Sequence, residues 1–117
     1  MEHMDDWRIR VDEALVTAEA ARARGNEGMA RVCARRAAGW TVQAYLLQHG
    51  VDLKTTSVIK QMRHFLAHDG PKPETRTIVK HLLVTKQKDD LESDSYFPLD
   101  VDLVAAARQL IADLFPN

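Results

Sequence analysis

The sequence predicts an all-α fold, an antiparallel bundle of about five helices, and three observations carry that expectation. Apolar residues recur at spacings of three and four along nearly the whole chain. Glycines and prolines fall mostly between those stretches, at positions 25, 28, 50, 70, 71, 73 and 98. No stretch alternates apolar and polar residues as a half-buried strand does. With 117 residues, 45 % of them hydrophobic, the chain suits one domain, 1–117, around one core. That composition excludes disorder along the whole chain.

The first helix is expected behind an Asp5 or Asp6 cap, with Trp7, Val11, Ala14, Leu15, Ala18 and Ala21 as its stripe. Gly25-Asn26-Glu27-Gly28 then supplies a short turn, which makes the next helix an antiparallel neighbour. That second helix is expected from about Met29 to His49, stopped by Gly50, with Met29, Cys33, Ala37, Trp40, Ala44 and Leu47 in line. Ala34, Ala37, Ala38, Gly39 and Ala44 make it small-sided, so another helix can come close. A third helix follows a Thr55 or Thr56 cap, carries Val58, Ile59, Met62, Phe65 and Leu66, and breaks at Asp69-Gly70-Pro71. A fourth starts near Pro73, a good first-turn residue, with Ile78, Val79, Leu82 and Leu83. Lys86 to Leu99 reads as helix continuation or loop. Asp100 is the expected cap of a last helix bearing Val101, Val104, Ala107, Leu110, Ile111 and Leu114.

Sixteen basic and 17 acidic side chains leave no uniform field to attract nucleic acid or membrane. The near-neutral total hides a gradient. Residues 1 to 88 hold 15 positive and 10 negative side chains, whereas residues 89 to 117 hold only Arg108 against seven acids. One cysteine, Cys33, excludes an intramolecular disulfide, and its place on an apolar stripe predicts a small core residue. There is no run of eighteen apolar residues to span a membrane, and the acidic, polar start is unlike a targeting peptide. The expected location is the cytoplasm.

The segment Ala30-Arg31-Val32-Cys33-Ala34-Arg35-Arg36-Ala37-Ala38-Gly39-Trp40-Thr41-Val42-Gln43-Ala44-Tyr45-Leu46-Leu47 follows a first helix and a glycine turn, and Gly50 ends it. This arrangement resembles the HEPN domain, a small helical domain named for nucleotide binding. One prokaryotic subgroup is also similar beyond it, in a Ser57-Val58-Ile59 helix, a short helix, and an acidic stretch with Asp94 and Tyr96 before the last helix. The resemblance covers about residues 6 to 115. The subgroup's His before the third helix is Thr55 or Thr56 here.

The resemblance implies a HEPN-like bundle acting as a nucleotide- or RNA-binding module, a homodimer, and a partner of nucleotidyltransferase or antitoxin type. It also implies an alternative, a metal-independent ribonuclease of toxin type. Many HEPN domains carry an Arg, a polar residue and, a few positions later, a His. Arg63-His64-Phe65-Leu66-Ala67-His68 matches that pattern. In that chemistry His68 moves the proton of a ribose 2′-hydroxyl or of the leaving oxygen, Arg63 holds the phosphate, and His64 orients or assists. Arg76 and His81 repeat the bare spacing, but Thr77 stands where the pattern has Asn, Asp or His. On one straight helix, positions 63 and 68 point about 140° apart, so they share a site only if the helix ends near Ala67 or two protomers combine.

Arg22, Arg24, Arg31, Arg35 and Arg36 cluster around the first turn and second helix. Of these, Arg31, Arg35 and Arg36 are candidate phosphate-binding residues, the alternative being a solvated face paired with Glu19, Glu27 or a C-terminal acid. His64 and His68 are spaced as two metal ligands on one helix, but no third Cys or His follows at ligand spacing, so neither metal nor cofactor is expected. Trp7 and Trp40 read as core residues rather than stacking partners. A third functional class stays open, a structural helical assembly protein without a ligand.

Overall fold

A computed structural model describes residues 6–55, 57–67, 72–83 and 102–116. Among these the chain is all-helical, with α1 Asp6–Ala23, α2 Glu27–Gln48, α3 Val58–Leu66, α4 Pro73–Leu83 and α5 Leu103–Leu114. The stretch 84–101, with the acidic segment, Tyr96 and Asp100, lies outside the described residues.

α2 is the central element and touches all four other helices. Its buried face is built from Ala30, Cys33, Ala34, Ala37, Ala38 and Gly39, joined by Thr41, Val42 and Leu46. Volume comes from the helices around it: Val11 and Leu15 of α1, Met62 and Phe65 of α3, Val79 and Leu82 of α4, Leu103, Val104 and Leu110 of α5. A small-sided helix inside large-sided neighbours interdigitates without voids. Cys33 is part of this core, as its stripe position predicts.

The closest approach is at Gly39. A methyl group placed there would lie 2.5 and 2.8 Å from the two Val58 methyls, and 3.0 Å from the Val58 Cβ. α3 can therefore seat its first turn directly on the α2 backbone.

Side chains and turns close the helix ends. α1 and α2 both finish in a left-handed glycine, Gly25 at φ 83° and Gly50 at φ 82°. In each case the following amide reaches back, Asn26 N to Ala21 O at 2.8 Å and Val51 N to Leu46 O at 2.8 Å. The first turn is shorter than the sequence suggests, because Asn26 Oδ1 accepts the Met29 amide and starts α2 at Glu27. Ser57, not Thr55 or Thr56, caps α3 through Lys60 N. Thr55 instead accepts the Ser57 amide on Oγ1 and the buried Gln61 amide on its carbonyl. Asp102 caps α5 through Ala105 N, two residues later than the Asp100 expected from sequence. Thr75, also buried, donates to Asp113 Oδ2 at 2.9 Å and ties α4 to α5.

At the α1–α2 turn Arg22 grips Glu27 with two nitrogens, at 3.2 and 2.8 Å, and also donates to Asp102. Hydrogen bonding from Arg22 holds the carboxyls of both Glu27 and Asp102 below their ordinary range, and the same bonds raise the guanidinium. Arg108 adds a link to Glu19 at 2.6 Å. These pairs are solvent-exposed, so each contributes modestly, on the order of 0–1 kcal/mol.

Two outcomes follow. Gly39→Ala gains about 1 kcal/mol of helix propensity but meets an overpacking cost of about 1–3 kcal/mol. Its thermal midpoint should fall by a few degrees, and adding Val58→Ala should recover part of the loss in a double-mutant cycle. Simple additivity would mean the two helices are not in tight contact. For the acids, lowered native pKa values mean their stabilisation is full above about pH 5 and is lost as pH falls through those values. Arg22→Ala should flatten the acid limb of the stability profile in urea titrations, and 1 M salt should mimic it.

Candidate functional site

The loop Leu53-Lys54-Thr55 and the outward side of α3 enclose an open cleft of ≈ 590 Å³, lined by Leu53, Lys54, Thr55, Lys60, Arg63 and His64. Lys60, Arg63 and His64 are three and four residues apart, which places them together along one side of the helix. The opposite side of α3 is buried through Gln61, Met62 and Phe65, so packing alone turns the basic residues outward. Lys60 and Arg63 are exposed, whereas His64 is half-buried with Nε2 shielded from solvent.

The loop wall is held in a specific conformation. Lys54 has φ 53°, a left-handed geometry uncommon for a residue with a side chain. Asp52 stabilises it by accepting the Lys54 amide at 2.9 Å. On the other flank, the Gln61 side chain donates to the Thr55 carbonyl at 2.8 Å and ties the loop to α3. Strained backbone kept in place by surrounding bonds is a feature of binding sites, where it presents a side chain the relaxed chain would turn away.

Among the described residues, the cleft's lining holds three cationic side chains and a histidine, and no carboxylate. Like charges gathered on one wall attract anions, and a phosphate suits lysine and arginine donors together. Of the residues singled out from sequence, Arg63 and His64 are here, and His68 lies outside the described residues. Lys54 and Lys60 were not singled out. Lys60 had a readable signal, one turn before Arg63, whereas Lys54 depends on the φ that only the folded loop sets.

The arginines of α2 are not gathered into one patch. Arg35 points to α4 and donates from Nε to the Leu82 carbonyl at 2.7 Å, closing one of the orphan acceptors at that helix end. Burial there pulls its pKa below the ordinary value. Arg31 is half-buried, and its charge helps to hold Glu27 ionised. Arg36 alone of the three is exposed, one turn before Trp40. Arg76, the second Arg of the repeated spacing, donates to the Leu66 carbonyl at 2.6 Å and closes the end of α3.

Trp7 and Trp40 pack against the core, as expected, but both are only half-buried. Their remaining surface lines a second cleft. Among the described residues no group of three His, Cys, Asp or Glu is placed to hold a metal ion, and no helix is long and apolar enough to cross a membrane.

Compared with family models, curated proteins and solved structures, the chain matches none. Its function is therefore argued from its own side chains.

Arg35 and Arg36 differ in role, and stability measurements separate them. Arg35→Ala should cost about 2 kcal/mol, the usual range for a charged hydrogen bond at a partly buried site. Arg36→Ala should stay within about 0.5 kcal/mol of the parent chain. Urea midpoints for the two variants check this.

Proposed function

We propose that the chain is a HEPN-like nucleotide- or RNA-binding module of the cytoplasm that works as a homodimer beside a nucleotidyltransferase or antitoxin partner. The observation that carries the ligand class is the cleft walled by Lys54, Lys60, Arg63 and His64, with no acid among the described residues of its lining. Phosphate is the anion common to nucleotides and RNA, and the two exposed cations of α3 lie one turn apart on the same side of the helix. The homodimer and the protein partner rest on the family resemblance alone.

A second reading is favoured by one specific placement. Arg63 and His64, two members of the Arg-His-x-x-x-His pattern, line the same cleft. With His68 as proton carrier and Arg63 on the phosphate, the site would cleave RNA without a metal. The 2′-hydroxyl loses its proton and attacks the adjacent phosphorus, the P–O5′ bond breaks, and the 5′-oxygen leaves protonated beside a 2′,3′-cyclic phosphate.

Binding is tested by titrating single-stranded RNA across a range of salt. Lys60→Ala with Arg63→Ala should weaken binding and reduce the magnitude of the log–log salt slope by about 1.4, the loss of two phosphate contacts on a single strand. An unchanged slope would mean that the cleft touches no phosphate. Cleavage is tested separately with nuclease-free protein in EDTA. His68→Ala should lower it by at least about 10²-fold and leave binding nearly intact. Absence of cleavage by the parent chain leaves the binding module and removes the nuclease.

A further inference from the structure

The second cleft lies away from the cationic one, between the start of α1, the last turns of α2 and the end of α5. It measures ≈ 620 Å³, within the range of small-ligand sites, and its apolar walls are Trp7, Trp40, Leu47 and Phe115. Polar groups enter from two sides, Asp6, Arg8 and Arg10 of α1 and Gln43 and Gln48 of α2, so the two guanidinium groups outnumber the one carboxylate. Trp7 is already engaged, 4.5 Å from Phe115 centroid to centroid, with the Arg8 guanidinium 4.9 Å from the Trp7 ring centre. Trp40 differs. Among the described residues no other ring stacks on its indole, and it is half-exposed at the cleft wall.

We propose that this cleft is a base-stacking subsite, taking one nucleobase of a nucleotide or of single-stranded RNA against Trp40. This deepens the nucleotide-binding reading and rests on it. An indole face gains by stacking on any base, because every base offers a π-face. The Gln43 and Gln48 amides each present a donor and an acceptor, which match the edge of a base but have no purpose toward an aliphatic ligand. The Arg10 guanidinium supplies charge for an attached phosphate. A purely apolar occupant would cover the half-buried Gln43 amide without compensation.

The cleft carries its own reporter, since Trp7 and Trp40 are the chain's two tryptophans. Tryptophan emission is followed while the protein is titrated with adenosine and uridine monophosphates, a short oligouridylate, an abasic strand of equal length, and inorganic phosphate. Ligands bearing a base should quench, and the abasic strand and phosphate should not. Quenching by the monophosphates assigns free nucleotides to the cleft, and quenching by the strand alone assigns RNA. Trp40→Leu, which keeps apolar volume, should remove most of the quenching and weaken the strand about tenfold, whereas Trp40→Phe should restore most of the affinity.

Lys60→Ala with Arg63→Ala separates the two clefts, because quenching by a monophosphate should survive there while strand affinity drops. A labelled strand that binds by anisotropy without changing tryptophan emission overturns the stacking subsite and leaves the cationic cleft standing. Equal quenching by the abasic strand overturns it as well. Failure of every ligand to bind ends both readings. Acrylamide quenching that diminishes as protein concentration rises would show a second copy covering the cleft, and also overturns the proposal.

Discussion

The contact between Gly39 and Val58 is the constraint on which the rest of the molecule depends. With no side chain at Gly39, α3 lies against the α2 backbone, and the Val58 methyls fill the space a Cβ would take. That seat determines which side of α3 is buried. Gln61, Met62 and Phe65 turn inward, so Lys60, Arg63 and His64 are left on the outside. It also brings the loop after α2 back across the first turn of α3, where Gln61 holds Thr55 and Lys54 completes the basic wall. A larger residue at position 39 would push α3 away and open the cleft from behind.

The second theme is how the arginines are used. A cluster of guanidinium groups in a small helical domain suggests an anion-binding patch, yet packing recruits several of them for the helix ends. Arg22 joins the α1–α2 turn to the start of α5, Arg35 closes α4, and Arg76 closes α3. Short helices leave many carbonyls without an internal partner, and a planar fork with five donors satisfies them at a distance. The positive charge left for a ligand is accordingly concentrated on α3 and the loop before it rather than on α2.

The two clefts differ in chemistry and complement each other. One is charged and open, walled by lysines and an arginine. The other is aromatic, with amides, two arginines and Asp6 at its edge. A nucleotide has the same two parts, an anionic backbone and a flat heteroaromatic base. Half of the cationic cleft was legible in the sequence, because Arg63 and His64 stand in a recognisable pattern. The aromatic cleft was not, because Trp7 and Trp40 follow the apolar period of their helices and so look like core. Both do pack on the core, but neither large indole is covered completely.

By itself the sequence determined the helical class, the small-sided second helix, the turns at Gly25 and Gly50, and the apolar faces of α1, α3, α4 and α5. These are local or periodic properties, set by one residue's conformational freedom or by spacings of three and four. On α2 the expected stripe is displaced, since Met29 and Leu47 are exposed while Ala30, Ala34, Ala38, Val42 and Leu46 are buried beside Cys33 and Ala37. Only the tertiary structure decided which of Thr55, Thr56 and Ser57 caps α3, and that α5 starts behind Asp102. It also decided which arginines are consumed in packing and that Lys54 joins Lys60 and Arg63. Each of those choices compares partners far apart in the chain: a hydroxyl beside an amide, a guanidinium beside a distant carbonyl, a loop lysine beside a helix. Sequence spacing carries no information about such distances until the helices have packed.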